Sequence, residues 1–208
     1  MAKISIYKQN NYKFNTNILR KLASMSLKVS VIIPIQNEEL NISLIHQAVK
    51  SQLEKLGFLS YEILFIDDGS TDQTLAEIKK LSSDSHVFYI EFYRNFGKEM
   101  AVTAGLKNIS GDAAIIIDAD MQHPPELIPE LIAKWRAGAD MVIAVRSQNA
   151  KEGIIKKLGS AVFYKIMRAI SEGNITVRGT DYRLIDRKVI DEYNHFTEHN
   201  RIARGLLD

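Results

Sequence analysis

The chain has 208 residues, 27 Lys and Arg against 25 Asp and Glu for a formal net charge of +2, and no cysteine. That length suits one large domain, or one domain with a short appendage, and 46% hydrophobic with 25% charged residues excludes wholesale disorder. The absence of cysteine excludes disulfides, thiolate zinc sites and a cysteine nucleophile, and no run of 18 apolar residues occurs that could span a bilayer.

The near-neutral total conceals three unlike segments. Residues 1–37 carry +6 with no acidic residue, residues 38–145 carry −8, and residues 146–208 carry +4. Such a pattern suits cations gathered at the centre and anionic partners at the ends, the plain alternative being an unevenly charged solvated surface.

Residues 1–28 are rich in Asn and Lys, show no convincing period and read as a basic extension. They hold one arginine and no apolar leader segment, which argues against a transit or secretory peptide. From Val29 the pattern becomes regular. Val29–Ile35 is a β-branched run that predicts a buried strand, and apolar residues at helical spacing predict a helix over 39–57. Tyr61–Ile66 predicts a second strand, followed by a helix over 72–82 with Thr71 or Asp72 at its N-cap. A strand at His86–Phe92, a helix over 97–109, a strand at Ala113–Ile117, a proline-opened helix over 124–137 and a strand at Met141–Val145 complete the alternation.

Strands alternating with helices predict an α/β fold, a Rossmann-like, mostly parallel sheet covered on both faces. Ligands of such sheets bind beyond the carboxyl ends of the strands. That rule selects Gln36-Asn37-Glu38, Asp67-Asp68, Arg94-Asn95, Asp118-Ala-Asp120 and Arg146. Asp118 and Asp120, with Asp67 and Asp68 at a neighbouring strand end, would repel one another unless a cation sits among them. Hard oxygen donors suit Mg2+ or Mn2+, with water and phosphate oxygens completing the shell. His123 follows at once, and a lone histidine without cysteine reads as a supporting or surface residue rather than a ligand. No strand is followed by G-x-G-x-x-G or G-x-x-x-x-G-K-[ST], and Gly69-Ser70 lacks the G-x-S-x-G elbow, so dehydrogenase, P-loop and serine-hydrolase readings fail.

Taken together, Pro34-Ile-Gln-Asn-Glu38-Glu, Asp67-Asp68-Gly-Ser-Thr-Asp72, Arg94-Asn95-Phe-Gly97-Lys98 and Asp118-Ala-Asp120-Met-Gln122-His-Pro-Pro125-Glu carry a resemblance. The chain resembles the family-2 inverting glycosyltransferases of GT-A fold. Within them it is most similar to the polyprenyl-phosphate branch, that is, bactoprenol-phosphate glucosyltransferases and dolichol-phosphate mannose synthases. Arg146, Gly179-Thr-Asp181-Tyr-Arg183-Leu and Arg201-Ile-Ala-Arg204-Gly205-Leu extend the match over about 29–208, the expected catalytic domain.

The resemblance implies roles at matching positions. Pro34, Glu38 and Asp67, with Asp68 nearby, line the nucleotide base and ribose pocket. Asp118, Asp120 and Gln122 hold the divalent metal and the diphosphate, and Lys98 counters diphosphate charge. Arg146, with Lys156, Lys157 and Ser160, meets the lipid phosphate of the acceptor, while Arg201 and Arg204 lie on a loop that closes over the diphosphate. Asp181 is the expected base or acceptor-orienting group, its structural alternative being a pair with Arg183 or Arg178. Gln36 stands where the family often has an aromatic residue to stack on the base.

The implied activity is metal-dependent transfer of a hexose, from UDP-hexose by preference, to a polyprenyl phosphate at the cytoplasmic membrane face. Members of that branch continue into membrane helices beyond such a domain, and a homo-oligomer is left open. Residues 154–170 place apolar positions 155, 158, 162, 166 and 169 among Lys and Arg, which suits a helix lying on anionic lipid or one packed on its own domain. Rival readings are a same-fold enzyme acting on a hydroxyl of a cell-surface polysaccharide and a non-catalytic sugar-nucleotide-binding protein. Arg146 and the basic stretch favour a phosphate acceptor over a neutral one, and the acidic centre opposes a nucleic-acid groove.

Overall fold

A computed structural model describes residues 2–7, 27–57, 60–146 and 179–195. In chain order the elements are β1 (Ala2–Tyr7), β2 (Lys28–Ile35), α1 (Ile42–Glu54), β3 (Ser60–Asp67), α2 (Thr74–Leu81), β4 (Val87–Glu91), α3 (Lys98–Asn108) and β5 (Ala113–Ile116). A short 3-10 turn (Pro125–Leu127) then leads into α4 (Ile128–Arg136), β6 (Met141–Arg146), β7 (Gly179–Asp186) and α5 (Arg187–His195).

The strands form one seven-stranded sheet in the order β1-β6-β7-β5-β2-β3-β4. β5, β2, β3 and β4 are mutually parallel, as the alternation of strands and helices requires. β7 enters antiparallel between β6 and β5, and β1 pairs antiparallel along the outer edge of β6. The expected mostly parallel GT-A sheet is thus the one found.

Helices cover both faces, which is why the central strands read as unbroken apolar runs rather than alternating ones. On one face Val31 and Ile33 of β2 pack with Ile45 and Val49 of α1 and with Ile128, Leu131 and Trp135 of α4. On the other, Ile32, Leu64 and Ile66 pack with Val102 and Leu106 of α3 and with Ile190 and Tyr193 of α5. Gly105 permits the close approach of α3 to the sheet, since a Cβ there would lie 2.6 Å from Ile32 Cγ2.

Two boundaries differ instructively from the sequence pattern. Ala2–Tyr7 is a strand, although its stretch of sequence shows no period, because it is defined by pairing with β6 and not by its own periodicity. Helix α2 begins at Thr74 rather than Asp72, and Asp72 Oδ1 accepts the Thr74 N–H at 2.9 Å. At the opposite end of the sheet from the strand carboxyl ends, the Glu62 carboxylate accepts from Lys28 Nζ (2.6 Å), Ser30 Oγ (2.6 Å) and the Ser110 N–H (2.7 Å). Among the described residues, no helix is long and apolar enough to cross a membrane.

Candidate active site

Register sets the stage for the site. Ile35 pairs with Asp67 and Asp67 with Glu91, so β2, β3 and β4 end level and their following loops lie side by side. The first two loops are tied together through polar side chains. Asn37 takes a left-handed conformation (φ 53°), which Asn tolerates better than most residues. Its N–H donates to Ser70 Oγ at 2.9 Å and its Oδ1 accepts the Thr71 N–H at 2.8 Å. The Glu38 N–H donates to Thr74 Oγ1 (2.8 Å), the Glu38 carboxylate accepts from Asn41 Nδ2 (2.6 Å), and Glu39 accepts the Gln73 N–H (2.9 Å). Pro34 is buried near the end of β2.

Asp67 and Asp68 are almost wholly buried, at 1% and 3% exposure. Burying such carboxylates is tolerable only when their oxygens are satisfied. Asp67 Oδ1 accepts the Ser70 N–H at 3.1 Å. Asp68 uses both oxygens on the next loop, accepting the Phe96 N–H at 2.7 Å and the Gly97 N–H at 2.9 Å. Asp68 therefore anchors the entry to α3, whose first residue is Lys98.

Lys98 is the hub of the site. Its Nζ lies 2.6 Å from Asp118 Oδ1, beyond β5, and 2.8 Å from Asp181 Oδ2 on β7. Three separate elements thus converge on one ammonium. Burial alone pulls the Lys98 amine down, but the paired carboxylates Asp118 and Asp181 override it and hold the amine above its ordinary range. His123 stands behind Asp118, its Nε2 3.7 Å from Asp118 Oδ2 and its ring 5.6 Å from that of Tyr182. Asp120 is exposed and its Oδ1 accepts the Gln122 N–H at 3.0 Å, closing a turn in which Met121 has φ 58°.

Among the described residues, no group of three or more His, Asp or Glu side chains converges as a ready-made metal cage. Asp118 and Asp120 nonetheless supply two hard carboxylates, one exposed and one partly so. That donor set fits a hard divalent ion that draws the rest of its shell from water and phosphate oxygens, the usual state of Mg2+ at phosphate-handling sites.

Of the other expected residues, Gln122 is exposed on this turn. Arg146 ends β6, paired across the sheet with Ala2. Lys156, Lys157, Ser160, Arg178, Arg201, Arg204 and the basic stretch 154–170 lie outside the described residues. The strand-end rule selects Asn37, and Ser70 stands in one of the motifs, but neither they nor Thr74 were expected to tie the two loops together. Tyr182 was given no role either; its fully buried hydroxyl has no hydrogen-bond partner among the described residues, and its burial pushes the phenol well up.

Residues 30–194 match the family described as Glycosyl transferase family 2. The bactoprenol glucosyl transferase of Shigella phage SfX is 42% identical over 182 residues, covering 87% of this chain and 59% of that protein. An uncharacterized glycosyltransferase of Bacillus subtilis (strain 168), YkcC, is 40% identical over 185 residues, covering 88% and 57%. The chain thus spans a little over half the length of these curated relatives. Similar folds occur in glucosyl-3-phosphoglycerate synthase from Mycobacterium tuberculosis in complex with UDP (TM-score 0.56, 18% identity, 87% of this chain and 64% of that one). They occur also in the mannosyltransferase PcManGT from Pyrobaculum calidifontis in complex with GDP-Man and Mn2+ (TM-score 0.57, 22% identity, 83% and 48%).

Proposed function

This chain belongs to glycosyl transferase family 2, and from that premise we propose that it moves a hexose from a nucleotide-diphosphate sugar to a polyprenyl phosphate at the cytoplasmic face of the membrane. The observation that carries the reading is the convergence of Lys98, Asp118 and Asp181 at the end of the sheet where the parallel strands finish and antiparallel β7 begins. It offers a cation for a diphosphate, a carboxylate for a metal and a carboxylate for an acceptor in one place. The relatives named bactoprenol glucosyl transferase support the acceptor class.

In this reading Pro34, Glu38 and Asp67 border the base and ribose, and Asp68 sets the position of Lys98 by fixing the turn before α3. Lys98 meets the diphosphate. Asp118, Asp120 and Gln122 would hold Mg2+ or Mn2+, which would supply charge stabilisation for the departing nucleoside diphosphate. The acceptor oxygen attacks C1 of the sugar on the face opposite the leaving group, so the configuration inverts. A phosphate acceptor is already ionised near neutral pH and needs no strong base. Asp181 orients it, and Arg146 binds its charge. Arg201 and Arg204, which lie outside the described residues, are the further diphosphate contacts that the family resemblance implies.

The test is a panel of UDP- and GDP-hexoses offered with a short polyprenyl phosphate, with Mn2+ or with EDTA. Metal-dependent formation of a polyprenyl-phosphate sugar is expected. Transfer only to polysaccharide hydroxyls would replace the acceptor, and binding without turnover would make the chain a sugar-nucleotide receptor.

A further inference from the structure

The proposed chemistry asks Asp118 to hold a metal ion, yet its carboxylate is already matched with a cation. Lys98 Nζ sits 2.6 Å from Asp118 Oδ1 and 2.8 Å from Asp181 Oδ2. The backbone beneath it is fixed, because Asp68 holds the Phe96 and Gly97 N–H groups at the entry to α3. The side chain itself is 38% exposed and carries its ammonium on a four-carbon stem of rotatable bonds, so the charge can swing to a new partner without a shift of the helix.

We propose that Lys98 is a resident counter-cation that must be drawn off Asp118 before a divalent ion can be held there, so that metal and nucleotide diphosphate load together. The inference rests on the metal and donor roles proposed above. A divalent ion on Asp118 would bring like charges into close quarters with the ammonium, in a partly desolvated site where repulsion is poorly screened. Metal alone therefore competes against an ion pair already formed. A nucleotide diphosphate changes the balance by giving Lys98 an anion of higher charge to move to. That movement uncovers Asp118 for the metal and relaxes the hold on Asp181, on the acceptor side. One ammonium thus couples three binding events, and the coupling is reciprocal: whatever UDP does for metal affinity, metal does for UDP affinity.

The test measures free Mn2+ by electron paramagnetic resonance in titrations of the full chain, with and without UDP, for the wild type, Lys98→Met and Lys98→Gln. Without nucleotide, both variants are expected to bind Mn2+ about tenfold more tightly than the wild type, with the enhancement by UDP shrinking by a similar factor. Unchanged or weaker Mn2+ binding by the variants in the absence of UDP overturns the inference, while wild-type Mn2+ binding in the presence of UDP leaves the proposed function intact. No Mn2+ binding by any form, UDP included, overturns both. The unsubstituted protein gives an independent reading by 15N-lysine NMR. The Lys98 ammonium resonance is expected to shift when UDP is added without metal, and its staying unmoved overturns the inference regardless of how the variants fold.

Discussion

Gly69 meets two constraints at one position. Its φ of +67° is a conformation that L side chains rarely adopt, and a Cβ there would lie 2.3 Å from the Arg94 carbonyl carbon and 2.6 Å from the Asn95 nitrogen. Those atoms are backbone and cannot swing aside. Gly69→Ala is therefore expected to destabilise the protein by roughly 2 kcal/mol or more, read as a lowered denaturation midpoint. By displacing the Arg94–Gly97 loop it should also weaken nucleotide binding, and a variant with wild-type stability would contradict this close packing. Asp120 presents the opposite case, exposed and, among the described residues, tied to its own turn through the Gln122 N–H. Asp120→Asn is expected to fold normally, to lose at least about 99% of transfer as sites of this electrostatic kind do, and to bind UDP without the benefit of Mn2+. Full activity of the wild type in excess EDTA would remove the metal from this residue altogether.

Strands β2 and β3 are held together at both ends by different chemistry. At the functional end the Asn37, Glu38 and Glu39 ties join the two loops. At the other end lies the Glu62 cluster. Burial alone would push the Glu62 carboxyl up, but Lys28, Ser30 and Ser110 override it and hold it at about 2, against an ordinary 4.5. A carboxyl depressed on folding stabilises the native state at pH values above 4.5 and loses that contribution as the pH falls from 4.5 towards 2. The contribution is at most about 3 kcal/mol. Urea titrations from pH 7 to pH 2 should show it, and Glu62→Gln should be less stable at neutral pH with a flatter profile below pH 5. An unchanged profile in that variant would assign the acid sensitivity elsewhere.

The strands β2 to β6 were legible because each is a short run of apolar residues, continuous in β2, β3 and β5 because those strands are buried on both faces, and the loops that matter follow those runs directly. Strand β1 was not legible, since Ala2–Tyr7 is defined by pairing with residues nearly 140 positions away. The insertion of β7 between β6 and β5 was equally hidden, and with it the approach of Asp181 to Lys98. The structural alternative for Asp181 named Arg183 or Arg178, its neighbours in sequence, whereas its contact with Lys98, 83 positions away, is made by topology. The resemblance grouped Asp68 with the nucleotide pocket. Its two bonds to the Phe96 and Gly97 N–H groups depend on the level ending of β3 and β4, which no local pattern encodes.

Across the whole molecule, the −8 segment contains Asp118, Asp120 and Lys98, while the +4 segment begins at Arg146. This division suits a donor half that gathers cations and an acceptor half that meets an anion. Arg146→Ala is accordingly expected to raise the KM for polyprenyl phosphate by about tenfold or more, the scale of a lost charge-assisted contact, with UDP affinity nearly unchanged. A collapse of UDP binding instead would move the acceptor phosphate away from β6.

The pairing of β1 with β6 has a consequence for handling the protein. Ala2–Tyr7 occupies the outer hydrogen-bonding groups of Met141–Arg146. Deleting the first seven residues would turn β6 into a bare margin, and a bare strand margin invites another chain to complete it. Such a trimmed protein is expected to self-associate at concentrations where the intact one does not, as light scattering would reveal.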